Sequence, residues 1–468
     1  MKAKLRKVHG SIVAPEGFLA AGVFCDIKRL GTGKGSEKGG KRDLALIVSE
    51  VPATVAGMFT TNQICAAPVK VCLARVKQGV ARAIVVNSGN ANACTGRQGL
   101  KDALEMTEFT ARAVAAVYER RAASKKPPAL TEHRSNISAE HVLVGSTGRI
   151  GVKLPMEKVR AGILEAAARL DDAPECAAHA VEAIMTSDTR PKQIAVEFKL
   201  SGRTVRIGGI CKGAGMIQPG MSVTGKRPAA APGRGRPPGH ATMLCFITTD
   251  AAVEAGALQA ALQEAVALSF NRITVDGDMS TNDTVLVLAN GLAGNAELRT
   301  PNSELRTFKS ALNHVCLELA KMIVRDGEGV SRFVTVRLSG ARNLADADAA
   351  ARAVANSALV KTSWNGGDPN WGRIMDALGY SSAKVVEEKV DIGYRASDSR
   401  RTLWSLKGGQ PTKVTFKQLC AAVAPKEFDL HINLNLGKAS AVVYSADLTE
   451  AYVDFNKGDV SDPASLGG

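Results

Sequence analysis

The sequence predicts an α/β protein whose mixed sheets are packed between helices, and three observations carry that prediction. Apolar residues make up 45% of the chain and aromatics only 4%, with ample Val, Ile, Leu and Ala, which is the composition of mixed α/β proteins. Short β-rich apolar runs at Ala83 to Val86, Val285 to Leu288, Phe333 to Leu338 and Ala441 to Tyr444 are interspersed with a stretch of helical periodicity, Val253 to Leu268. The chain lacks alternating βαβ units with a Gly-rich fingerprint, so a doubly wound nucleotide fold is not supported.

Each element follows from its residues. Val253 to Leu268 is rich in Ala, Leu, Glu and Gln, and Asp250 is placed to cap its first turn. The Gly-rich segment Lys212-Gly-Ala-Gly-Met216 lacks the phosphate-loop pattern. Four segments read as poorly packed connections: Gly31 to Lys41, Arg120 to Pro128, Ser222 to Gly239, and Glu297 to Thr307, where ELRT occurs twice. The first three mix Gly, Pro and charge and bury too little apolar area to offset ordering entropy. The fourth is expected to be a surface insertion. At 468 residues the chain exceeds one ordinary core, and two large units are expected.

Composition also excludes functions. The N-terminal Lys2, Lys4, Arg6 and Lys7 are followed by Pro15, Glu16 and Gly17 instead of the apolar core of a signal peptide, and no run reaches the length of a membrane span. Nine cysteines without a C-x-x-C pair or a nearby His cluster argue against a disulfide framework and against a zinc site. A reducing cytoplasm is the expected compartment. The net charge of +15 is dispersed and not interleaved with aromatics, so nucleic acid is not the expected partner. Such a surface can instead concentrate acidic metabolites.

The chemically suggestive junction is Gly239-His-Ala-Thr-Met-Leu-Cys-Phe-Ile-Thr-Thr-Asp250, where a Pro-rich approach runs onto a compact apolar strand. A strand beginning at Thr242 would hold its hydroxyl rigidly, and the Pro-rich loop before it would present the Ala241–Thr242 bond for attack by that hydroxyl. An N-to-O acyl shift and hydrolysis would free the Thr242 α-amine. That amine, with a reference pKa of about 7.7 to 8 against about 10.4 for Lys, can act as base for its own hydroxyl. By itself, a Thr heading a strand reads first as an ordinary β-branched residue.

Further segments add a resemblance. Lys212-Gly-Ala-Gly-Met-Ile-Gln-Pro219 and Ala241-Thr-Met-Leu-Cys-Phe-Ile-Thr-Thr-Asp-Ala251 resemble the cleavage-site signature of the glutamate N-acetyltransferase (ornithine acetyltransferase) family. Phe59-Thr-Thr-Asn62, Asn87-Ser-Gly-Asn-Ala-Asn92, Ser146-Thr-Gly148, Met185-Thr-Ser-Asp-Thr189, Ser269-Phe-Asn-Arg-Ile-Thr274, Asp276-Gly-Asp278, Gly327-Glu-Gly329 and Asp368-Pro-Asn-Trp-Gly-Arg373 extend it from about residue 10 to the C-terminus, in the family's order.

The resemblance implies self-cleavage before Thr242, giving an α chain of residues 1–241 and a β chain of residues 242–468 that stay together as α2β2. It implies ping-pong transfer of acetyl from N2-acetylornithine to glutamate in arginine biosynthesis, with no metal or bound organic cofactor required and with acetyl-CoA as a second donor in some members. Thr242 matches the nucleophile, and Thr147 and Gly148 match the oxyanion hole. Thr189, Lys212, Thr242, Glu328, Asn456 and Ser461 match substrate-holding positions. Lys212 and Glu328 supply the charges that suit an amino-acid carboxylate and ammonium. A self-processing aminopeptidase or amidohydrolase with the same nucleophile stays open, because water in place of the acceptor amine hydrolyses the same acyl-enzyme. The chain departs from the family pattern at Ser222 to Gly239, an insert placed between Met221 and the scissile bond.

Overall fold

The computed structural model describes residues 4–28, 40–124, 137–227, 242–301 and 303–457. Most of Gly31 to Lys41, the end of Arg120 to Pro128 and all but the first residues of Ser222 to Gly239 lie outside them. Among the described residues, one sheet comprises β1 (Arg6–Lys7), β2 (Phe18–Val23), β3 (Leu44–Phe59), β4 (Val80–Asn90), β5 (Val142–Arg149), β6 (Lys192–Leu200), β7 (Arg203–Lys212), β8 (Leu244–Thr249) and β9 (Thr284–Ala289). The order is β1-β6-β7-β8-β9-β3-β4-β5, with β2 beside β3. β8 and β9 are parallel, as are β4 and β5; the other neighbours are antiparallel.

Three strands separate β8 from β5 in this order, yet Gly145 of β5 lies against the Phe246 ring of β8. The sheet therefore folds over on itself. β3 provides the corner, because its register with β4 slips between Val48 and Ala53. Strands in such a double layer are buried on both faces and read as continuous apolar runs. In β8, Leu244 and Phe246 enter one core while Cys245 and Ile247 enter another; Leu286 and Leu288 of β9 likewise oppose Val285 and Val287.

Helices cover both outer faces. Residues of α1 (Ala67–Arg75), α2 (Gly96–Ser124), α3 (Met156–Ala168) and α4 (Pro174–Ile184) fill the first core, and α5 (Ala255–Leu268) and α6 (Ser303–Arg325) fill the second. In α6 the buried Leu305, Phe308, Leu312, Val315, Leu319 and Ile323 recur every three or four residues, a stripe facing the sheet. A second sheet, β10 (Phe333–Ala341), β11 (Asp391–Ala396), β12 (Leu403–Lys407), β13 (Gln410–Pro411), β14 (Glu427–Asn433) and β15 (Ala439–Ala446), has the order β13-β12-β11-β14-β10-β15. Its third core includes residues of α7 (Leu344–Asn356), α8 (Ala358–Asn365), α9 (Trp371–Gly379) and α10 (Phe416–Val423). The fold is the expected one, mixed sheets between helices.

Three local expectations are corrected. Asp250 does not cap α5: its carboxylate accepts from Glu16 N and Arg206 N, and Glu254 caps the helix by accepting from Gly256 N and Ala257 N. Glu297 to Thr307 lies at the surface, exposed at Glu297, Arg299, Thr300, Pro301, Ser303 and Arg306, but it is not a poorly packed connection, since Leu298 bridges Val253 and is buried, and Leu305 heads the stripe of α6. Arg120 to Ser124 continues α2 instead of starting a loop.

Candidate active site

β8 starts at Leu244, two residues after Thr242. Met243 between them is fixed by Asp283, whose carboxylate accepts from Met243 N at 2.8 Å and from Ser280 N at 3.3 Å, and Met243 O accepts from Thr284 N. Thr242 is 9% exposed, and its Oγ1 lies 2.9 Å from Ser280 Oγ. Asp283 is buried away from water, which pushes its carboxyl up to about 7 against the pull of its two backbone donors and of Lys212.

Because the sheet folds over, the end of β5 arrives at the same place. Thr147 is buried and pairs across β4 with Ser88, as Gly148 does with Gly89. Gly148 has φ +131°, and a Cβ there would stand 2.5 Å from Asn90 N and 2.7 Å from Gly89 Cα, so only glycine fits. Asn282 ties the layers together by donating from Nδ2 to Ala91 O at 2.7 Å and to Ser146 O at 2.9 Å.

Lys212, the last residue of β7, joins the two. Its Nζ donates to Thr147 Oγ1 at 3.2 Å and to Thr242 O at 3.1 Å, with Asp188 Oδ2 at 4.0 Å. Burial lowers its proton affinity, which Asp188 partly restores. Asp188 accepts from Gly213 N at 2.7 Å. Its burial favours the neutral acid, but the ammonium groups of Lys192 and Lys212 hold it well below the usual carboxylate range.

Glu328 lies on a loop whose N–H donates to Ala214 O, and its side chain packs over Gly215. α11 (Glu450–Phe455) is docked there by Thr449 Oγ1, which donates to Gly329 O, and Asn456 Nδ2 then reaches Glu328 Oε2 at 3.0 Å. Asp276 anchors the neighbouring turn by accepting from Met216 N and Ile217 N. Burial pushes its carboxyl up to about 6.

The sequence-predicted residues therefore fall into groups. Lys212 is in direct contact with both Thr242 and Thr147, with Gly148 adjoining. Glu328 and Asn456 form a second pair beside Gly215. Thr189 is engaged with Asp326, to whose carboxylate it donates its hydroxyl and its N–H. Ala241 and Ser461 lie outside the described residues. The near flank of the insert is fixed: Thr61 Oγ1 donates to Gly220 O, Asn271 pairs with Met221, and Ser222 pairs with Phe59.

Sequence reasoning missed Ser280, Asp283, Lys192 and Asp326. A usable signal for the first two was the polar run Asp276 to Asp283 directly before an apolar strand; the others gave none. Among the described residues, no group of three His, Cys, Asp or Glu could hold a metal ion, the nine cysteines are free, and no helix is long and apolar enough to cross a membrane.

Comparison with known proteins gives this geometry a family. The ArgJ family model matches residues 20–458. The arginine biosynthesis bifunctional protein ArgJ of Symbiobacterium thermophilum is 45% identical over 449 residues, covering 96% of this chain and 98% of that protein. The glutamate N-acetyltransferase of Methanocaldococcus jannaschii is 40% identical over 457 residues, covering 97% and 99%. Among solved structures, an ornithine acetyltransferase complexed with ornithine from Mycobacterium tuberculosis is 36% identical, covering 47% of this chain and all of that one, with a TM-score of 0.39. Fold, site and relatives together define an acyltransferase of mixed α/β architecture. The chain belongs to the ArgJ family.

Proposed function

We propose that the protein transfers acetyl from N2-acetylornithine to glutamate through an acetyl ester on Thr242, after cleaving its own Ala241–Thr242 bond. One observation carries the reading: the Lys212 ammonium donates at once to Thr147 Oγ1 and to Thr242 O. An ammonium has no lone pair, so Thr147 must accept from it and its own O–H is left to point elsewhere. That directed hydroxyl, beside Gly148, suits the oxyanion formed when Thr242 Oγ attacks a carbonyl.

In maturation, Oγ1 attacks the Ala241 carbonyl, the C–N bond breaks, the amine takes the proton, and water hydrolyses the resulting ester. In turnover, the freed α-amine takes the Thr242 hydroxyl proton as Oγ attacks the acetyl carbon. Collapse of the tetrahedral intermediate expels the amine of ornithine, which receives that proton. The glutamate amine then attacks the acetyl ester, forming N-acetylglutamate and returning the hydroxyl. Lys212 suits the substrate carboxylate, Glu328 with Asn456 an ammonium, and Thr189 and Ser461 further hydroxyl contacts. Acetyl-CoA would enter as an alternative donor to the same ester. β8 and β9 lie between β7 and β3, so the two product chains share one sheet and stay associated, and we expect them to pair as α2β2 in the cytoplasm.

Two experiments test this. Denaturing electrophoresis with N-terminal sequencing should find a second chain starting Thr-Met-Leu-Cys; active protein that remains a single uncleaved band sinks the cleavage. Incubation with N-acetylornithine and labelled glutamate should give labelled N-acetylglutamate. Acetate without it indicates the hydrolase, and neither product removes the reading.

A further inference from the structure

Lys192, at the start of β6, is 1% exposed and stands between two carboxylates: Nζ is 2.6 Å from Asp188 Oδ1 and 2.5 Å from Asp326 Oδ2. Asp188 precedes the Ala241–Thr242 bond in the chain and Asp326 follows it. Asp326 also accepts from Thr189 N at 3.0 Å, from Arg190 N at 3.2 Å and from the Thr189 hydroxyl. With Lys212 the group holds four buried charges, two of each sign.

The distances around Asp188 are unequal. Lys192 is in direct contact with its Oδ1, whereas Lys212 stands 4.0 Å from its Oδ2 and spends its hydrogen bonds on Thr147 and Thr242. A fully buried carboxylate without its closest partner draws in the next cation, because an unpaired buried charge is costly. That cation is Lys212. Resting on the acyl-transfer reading, we propose that Lys192 is a positioning residue: by neutralising Asp188 and Asp326 it leaves Lys212 against Thr147 and Thr242, and it fastens Thr189 to the segment carrying Glu328.

The charged groups around Lys212 are Asp188, Lys192, Glu328, Asp283 and Lys28. Burial and Lys192 lower its proton affinity, while Asp188, Glu328 and Asp283 raise it. Without Lys192 two effects coincide. Lys212 moves toward Asp188 and away from Thr147, slowing acyl transfer, and it keeps its proton to higher pH.

The test compares Lys192→Met, Lys192→Arg and the charge-balanced Lys192→Met/Asp326→Asn, which removes one charge of each sign and so guards against misfolding of the single variant. Each is checked by thermal unfolding and assayed for acetyl transfer from N-acetylornithine to glutamate across pH. In the two Met variants kcat/KM should fall about 10- to 100-fold, as for a misplacement of about 1 Å. The alkaline limb should move up by about one pH unit, the effect of a lost neighbouring cation. Lys192→Arg, keeping the charge, should keep the limb. A folded double variant with the wild-type limb and with kcat/KM within about threefold of wild type overturns the proposal. So does a Lys192→Met variant that loses only thermal stability. Wild type run in parallel separates the two levels: absence of wild-type transfer sinks the acyl-transfer reading as well, whereas normal wild-type transfer with a folded double variant that matches it in both limb and rate sinks only the role of Lys192.

Discussion

Gly148→Ala tests the geometry of the site through one carbon atom. At φ +131° an alanine is strained, at a cost on the order of 1–3 kcal/mol. Its Cβ would also meet Gly89 C and, at 2.5 Å, Asn90 N, where ordinary contact begins near 3.4 Å, so the ends of β5 and β4 must separate by about 1 Å. Thr147 is the adjacent residue and meets Lys212 at 3.2 Å, so its hydroxyl moves relative to Thr242 by a comparable amount. A misplacement of about 1 Å in a catalytic constellation costs about 10²-fold. The assay is kcat/KM for acetyl transfer, with thermal unfolding on the same samples. Gly151→Ala is the control: φ is +81° but nothing lies within 4 Å of the added carbon, so it should lower stability slightly and leave turnover alone. A folded Gly148→Ala protein with kcat/KM within about threefold of wild type would refute the placement of the oxyanion site at this strand end.

Other substitutions separate the roles. Thr242→Ala should abolish both the second chain on a denaturing gel and acetyl transfer; full retained activity would mean another nucleophile. Thr147→Ala should slow transfer by about 10²- to 10³-fold while Thr147→Ser keeps most of it, since the hydroxyl donor is what matters; equal rates for the two would place the donor elsewhere. Asp283 carries a pH signature. Its folded pKa of about 7 lies above the ordinary carboxylate value, so its contribution to stability is fully present at low pH and is lost as pH rises through about 7. The stability of wild type relative to Asp283→Asn should therefore decline with rising pH, by at most about 1.4 kcal/mol per pH unit between about pH 4 and 7. A difference that stays flat in denaturant titrations over that range would show that Asp283 does not titrate there. Asp283→Asn should also slow transfer, because Met243 N and Ser280 N donate to different carboxylate oxygens and the amide sets an NH2 donor against one of them.

The sequence by itself determined what depends on local order. Apolar runs such as Leu244–Thr249 and Thr284–Ala289 are strands in any context that covers both faces, and the three- and four-residue spacing of α5 makes it a helix. The order of the short motifs was enough to indicate the family, and the same motifs pointed to Thr242, Thr147, Gly148 and Lys212, of which the fold brings Thr242 and Thr147 to Lys212. Boundaries were less legible. Asp250 before an apolar stretch looks like a cap, but backbone donors at Glu16 and Arg206 claim its carboxylate, and neither is near it in sequence. Only the tertiary structure decided the electrostatics. Lys192 is one lysine among many until a folded-over sheet buries it between Asp188 and Asp326, residues 138 positions apart in the chain. Ser280 and Asp283 likewise gain their places at Thr242 from the pairing of β8 with β9. Periodicity encodes which face is apolar, but a charge acquires its function from the neighbours and the burial that long-range packing gives it.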